Sequence, residues 1–145
     1  MPSGPFNLAR FLEAQENIYV TALSELRSGQ KRSHWMWFVF PQIKGLGFST
    51  TARYYAIEGI DEARAYLTHP TLGPRLRACT EAVNNLHGKS LSQIFAYPDD
   101  LKFCSSMTLF ELASDANSAF SKALDKYCQG QRDRSTLDLA AEMPG

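Results

Sequence analysis

The chain is short of several things at once. Its 15 basic and 15 acidic side chains cancel, leaving no formal net charge at pH 7. That excludes a nucleic-acid binder working through a strongly basic surface, although a local patch is compatible with neutrality. The longest apolar run, Trp35 to Phe40, is far below the roughly 20 residues that span a bilayer. Met1-Pro2-Ser3-Gly4-Pro5 shows no basic segment followed by an apolar one. No secretion signal is visible, and a cytoplasmic location with no membrane partner is expected.

Reactive residue types are also sparse. Cys79, Cys104 and Cys128 form no CxxC pair, and an odd number cannot all be paired. They read as small buried hydrophobes. His34, His69 and His87 lack HExxH or any similar ligand spacing, so neither a metal site nor a cofactor is expected. GxSxG, paired-cysteine zinc and dinucleotide-binding fingerprints are missing too. The scattered carboxylates sit mostly at helix starts, where capping accounts for them.

What is present is ordinary globular composition with one unusual stretch. At 145 residues, 44% apolar and 21% charged, the chain fits one domain with a full core and is not a disordered polymer. Residues 33–48 hold both tryptophans and three of the nine phenylalanines. Aromatic side chains dominate core energetics, so the core lies where this stretch lies. Periodicity does not decide the state of 34–40, because every face is apolar: a buried strand fits as well as a short helix. Helical neighbours and the lack of a partner strand favour the helix, which Pro41 ends.

Elsewhere the spacing is helical. Leu8, Phe11 and Leu12, then Ile18, Leu23 and Leu26, recur at three- and four-residue steps, with a polar interruption at Gln15-Glu16-Asn17 and a stop at Gly29. Gly73-Pro74 starts a longer helix that Gly88 terminates. Ser90 caps a short turn, Asp99 or Asp100 caps a helix through Leu112, Asn117 caps the last long helix, and Ser135 or Thr136 starts a final turn. The expected fold is all-α: a single compact domain over 1–145, its core about 7–137 with loose tails, built from about six to eight mostly short helices around an aromatic core.

Few residues stand out for chemistry. Lys102, Ser105 and Ser106 share one helical face with Thr108 at its edge, a row that suits a phosphate, carboxylate or sugar. Against that, such hydroxyls often bond back to the preceding turn. His34, beside two tryptophans, fits a general base or a stacking partner, and equally a core histidine bonded to a carbonyl. Gln42 and Lys44, followed by Gly45 and Gly47, only loosely resemble a ligand-cradling loop. Arg53 fits an anion clamp or a solvated cation.

Several segments taken in order carry a resemblance. They include 31–42 (KRSHWMWFVFPQ), Gly45-Leu46-Gly47, 62–70 (EARAYLTHP), 72–76 (LGPRL) and 102–110 (KFCSSMTLF). The sequence resembles the bacterial domain-of-unknown-function family 1810 over roughly Asn7 to Leu137. The resemblance implies a mainly helical cytoplasmic protein and no established activity. Some members bear the label "calpastatin", a disordered protease inhibitor whose nature this globular composition opposes. Here Ser49-Thr50-Thr51-Ala52 departs from the family's Ser-x-Met-Ser, so a hydroxyl role there is not expected.

The two separated signature segments imply a meeting point. The expectation is a pocket floored by Trp35 and Trp37 and edged by His34, Gln42, Lys102 and Ser105, suited to a small planar or anionic ligand such as a nucleotide or sugar phosphate. In a catalytic version His34 moves a proton, Lys102 holds the anion and Gln42 orients substrate or water, but no enzyme class follows. The competing reading is a protein-interaction module without catalysis, its aromatic segment partly exposed.

Overall fold

A computed structural model describes residues 6–114 and 118–142. Ten helices appear among them: α1 (Ala9–Gln15), α2 (Tyr19–Ser28), α3 (Met36–Val39), α4 (Thr50–Tyr54) and α5 (Ile60–Thr68). There follow α6 (Leu72–Asn84), α7 (Leu91–Ile94), α8 (Asp99–Leu112), α9 (Ala119–Tyr127) and α10 (Arg134–Glu142). The fold is all-helical, and the count exceeds the expected six to eight. The surplus has two physical sources. The polar interruption after α1 separates it fully from α2, and three single-turn helices of four or five residues stand as elements of their own.

Most boundaries follow from local chemistry. Gly29 closes α2 in the left-handed region at φ 87° and returns its N–H to Glu25 and Leu26. The aromatic stretch is helical, ending at Phe40 before Pro41. Ser90 forms a full capping box with Gln93. Other details differ from expectation. Asp99 and Asp100 lie inside the first turn of α8 instead of capping it. Helix α6 starts at Leu72 and is over before Gly88. The segment after Ser135 is a nine-residue helix, not a turn, and Asp133 caps it by accepting from the Thr136 N–H at 3.0 Å. Asn117 lies outside the described residues; Ser118 caps α9 by accepting from the Ser121 N–H.

The cysteines need the largest correction. Only Cys79 is a buried free thiol; Cys104 of α8 and Cys128 at the end of α9 form a disulfide. No CxxC motif marks this pair and an odd count leaves one thiol over; helix packing brings the two together across 24 residues.

Helix α8 runs through the middle of the core. Phe103, Met107, Leu109 and Phe110 are fully buried, and so is Ser106 on the same helix. A helix apolar nearly all round is a buried one. Phe40, at the end of α3, meets Phe103 edge-to-face at 5.2 Å and Phe95 at 5.9 Å. This contact brings the aromatic stretch against the first turns of α8. A single parallel bridge between Ile43 and Ile57 then fixes the following loop: the Lys44 N–H donates to Ile57 and the Ile57 N–H to Gln42.

Candidate functional site

Where α3 meets α8, Trp37 and Lys102 come together. The Lys102 Nζ sits 3.6 Å from the centre of the Trp37 ring, a cation–π contact. The same Nζ lies 3.4 Å from Asp99 Oδ1, while Asp99 Oδ2 takes a 2.9 Å ion pair from Lys31. Lys31 in turn lies over Trp35. Two lysines therefore share one carboxylate next to an aromatic platform.

Beside Trp37 and Lys102 a cavity of about 400 Å³ opens, with Gln42, Ser49, Ser105 and Asp133 among its walls. Two glycines shape its loop side. At Gly47 a Cβ would fall 2.5 Å from the Ala52 Cβ, so only glycine lets the loop lie this close to α4. At Gly45 φ is 108°, and α10 packs against it through Leu139. Phe48 and Leu101, 75% and 57% exposed, stand at the mouth.

The hydroxyl row on α8 does not act as a unit. Ser105 donates back to the Leu101 carbonyl at 3.2 Å while lining the cavity. Thr108 donates to the Cys104 carbonyl and accepts the Asp133 N–H at 2.9 Å, so it anchors the segment leading into α10. Ser106 is fully buried, and its hydroxyl has no hydrogen-bond partner among the described residues. Back-bonding, the alternative weighed for these hydroxyls, accounts for Ser105 and Thr108.

The other candidate residues are dispersed. His34 is exposed and lies off the cavity wall. Trp35 is fully buried and forms no floor; its Nε1–H donates to Glu25 at 2.9 Å. Lys44 is exposed beside Glu58. Arg53 lines a separate depression with Arg10 and Tyr54. Among the described residues no three of His, Cys, Asp and Glu gather as a metal site would need.

Residue inspection overlooked Glu25. Its carboxylate accepts the N–H groups of Arg32 and Ser33, the Ser33 hydroxyl and the Trp35 indole. Burial raises the Glu25 carboxyl, but the bonds from Ser33, the Arg32 N–H and Trp35 outweigh it and hold the pKa at about 2. Its place between Ala22 and Leu26 on the buried face of α2 was legible, but its donors come from a segment that only the fold brings back onto the helix. Arg10 and Glu62, an ion pair at 2.9 Å with both partners buried, were missed for the same reason. Glu25 bears on Trp37 indirectly, by locking the chain that enters α3, whereas Arg10 holds the carbonyls of Tyr54 and Ala56.

Fold and site together define a small all-helical protein with an aromatic core and one cavity where its two signature segments meet. The chain belongs to the family described as "Protein of unknown function (DUF1810)", which it matches over residues 5–140. It is similar to the conserved hypothetical protein Rv1873 from Mycobacterium tuberculosis, known from a crystal structure. The two share 55% identity with a TM-score of 0.93, over 94% of this chain and 98% of that one. Among curated proteins, none matches. No described helix is long and apolar enough to cross a membrane.

Proposed function

We propose that the protein binds a small planar ligand carrying one anionic group, nucleotide-like or sugar-phosphate-like, in the cavity between α3 and α8. The observation that carries this reading is the Lys102–Trp37 contact on the cavity wall. A flat apolar platform with few convergent polar groups is what small-molecule sites are made of. Trp37 provides the platform, Lys102 the charge, and Gln42 and Ser105 the hydrogen bonds to a ligand edge. Asp133 also lines the wall, and Asp99 offsets part of the Lys102 charge. That balance suits one anionic group better than a polyphosphate. His34 is outside the cavity, so no proton transfer by it belongs to the proposal.

The test is a thermal-shift screen against nucleotides, ADP-ribose-type compounds and sugar phosphates. A ligand at about 100 times its Kd stabilises by roughly 2.7 kcal/mol, well within detection. The expected hit shrinks to about half or less in Lys102→Met and weakens in Gln42→Ala while the fold stays intact. A hit undiminished by both substitutions overturns the placement. One observation favours a second reading, a protein-docking surface: Phe48, Tyr97 and Leu101 are 75%, 79% and 57% exposed at or beside the cavity mouth. A blank screen together with binding of a protein partner lost in Phe48→Ser would decide for it.

A further inference from the structure

The Cys104–Cys128 disulfide has no place in the reading above, yet it borders the same cavity. Both cysteines are half-buried and line a second, open cavity of about 540 Å³ on the far side of Leu101 and Asp133, which belong to both cavity walls. The linkage is thus open to solvent, unlike the buried Cys79, whose thiol burial pushes up to about 12. Few other contacts hold what Cys128 holds. From it the chain turns back through Gln129 and Gly130, both at positive φ, and crosses α8 to reach α10. Besides the disulfide, this crossing is tied to α8 by Arg132 on Glu111 and by the Asp133 N–H on Thr108. Asp133 and Ser135, the α10 side of the candidate ligand cavity, follow directly.

We propose that Cys104–Cys128 is a thiol–disulfide exchange site that takes a dithiol as its reactant, and that its state sets the order of the 128–135 wall of the ligand cavity. A thiolate of the dithiol attacks the Sγ of one cysteine. The S–S bond breaks, the other cysteine leaves as a thiolate that takes up a proton, and a mixed disulfide forms. The second thiol of the reactant then attacks that mixed disulfide. The protein is left with two thiols and the reactant is left oxidised to its own disulfide. Reduction removes the covalent tie and leaves two weaker ones, so the crossing opens more often while α8 stays in the core. The consequence for a ligand rests on the cavity being the binding site; the exchange chemistry and the loosening do not.

The experiment uses the full chain, oxidised and then treated with dithiothreitol under native conditions, with thiols counted by alkylation and mass spectrometry. Two new alkylated cysteines are expected, with Cys79 unmodified, and oxidised dithiothreitol should restore the linkage. Hydrogen exchange over 128–137 should rise on the order of tenfold or more on reduction, with α2 and α6 unchanged. A linkage that resists the dithiol until the protein unfolds, cysteines that never link under oxidant, or equal exchange in both states would each overturn the proposal. The Cys104→Ser/Cys128→Ser variant should exchange like the reduced protein; if it does not fold, native reduction of the parent chain still decides. None of these readouts involves a ligand, so a blank ligand screen leaves them interpretable.

Discussion

Glu25 and Glu111 do the same job in different surroundings. Each is a carboxylate that ties an incoming segment to a helix: Glu25 holds 32–35 on α2, and Glu111 holds Arg132 and Ser121 on α8. Glu25 is 8% exposed, and all four of its donors are neutral. Glu111 faces a guanidinium, and its side chain is 18% exposed. The guanidinium hydrogen bond lowers the Glu111 pKa, partly countered by burial and aided by the Ser121 hydroxyl. The comparison extends to the regions around them. The N-terminal half is fastened by buried charge, including Arg10–Glu62; the C-terminal crossing is fastened by a half-open ion pair and a disulfide. Acid should loosen both clasps, since both carboxyls are held below their usual range, whereas salt or reductant should loosen only the second.

The strongest way to break the buried set is Arg10→Ala. It strands Glu62, 1% exposed, and deprives the Tyr54 and Ala56 carbonyls of their donor. Orphaning one partner of a buried pair costs about 3–5 kcal/mol, read as a fall in the urea midpoint. On the other side, reducing the disulfide releases a constraint across 24 residues. Loop-closure entropy puts that loss near 3.5 kcal/mol, visible as a lower Tm in dithiothreitol. If reduction left Tm unchanged, the crossing would be held by its non-covalent contacts alone.

The pH profile separates the halves more finely. Glu25 has a folded pKa of about 2 against a usual 4.5, so in acid the unfolded chain binds the extra proton first. Its contribution is complete above about pH 4.5 and drains away as pH falls toward 2, amounting to up to about 3 kcal/mol. Glu25→Gln should flatten the stability curve across that window and be costly above it, since one acceptor oxygen is lost. A profile no flatter than that of the parent chain would remove Glu25 as the acid-sensitive fastener. Glu111→Gln should cost less, about 1 kcal/mol, with the difference shrinking in 1 M salt as half-exposed pairs are screened.

How far the sequence was legible follows the same division. Helices with caps and apolar stripes, such as α7 with its Ser90 box or α2 with Gly29, could be read from local residues. The meeting of the aromatic stretch with α8 was expected from the resemblance, whose two signature segments they are, and the Phe40–Phe103 contact makes it. The disulfide, the Glu25 clasp and the Arg10–Glu62 pair were not legible, since each depends on partners that only the tertiary fold brings into range. The same limit dispersed the expected site. Trp35 and Trp37 are two residues apart, about 200° around a helix, so one turned into the core while the other reached the cavity.

Lys102→Met gives the smallest stability effect and the most information about the cavity. The substitution removes the charge and keeps most of the side-chain length. Asp99 is not stranded by it, because Lys31 stays within 2.9 Å. What is lost is the contact with Trp37 at a partly exposed site, worth about 0.5–1 kcal/mol. A charged hydrogen bond to a ligand is worth more, roughly 1.5–3 kcal/mol, or about tenfold or more in Kd. The expected result is therefore a near-native Tm with ligand stabilisation cut to about half or less. A Tm loss as large as that of Arg10→Ala would instead place Lys102 among the structural fasteners, and the difference between the cavity wall and the buried network would disappear.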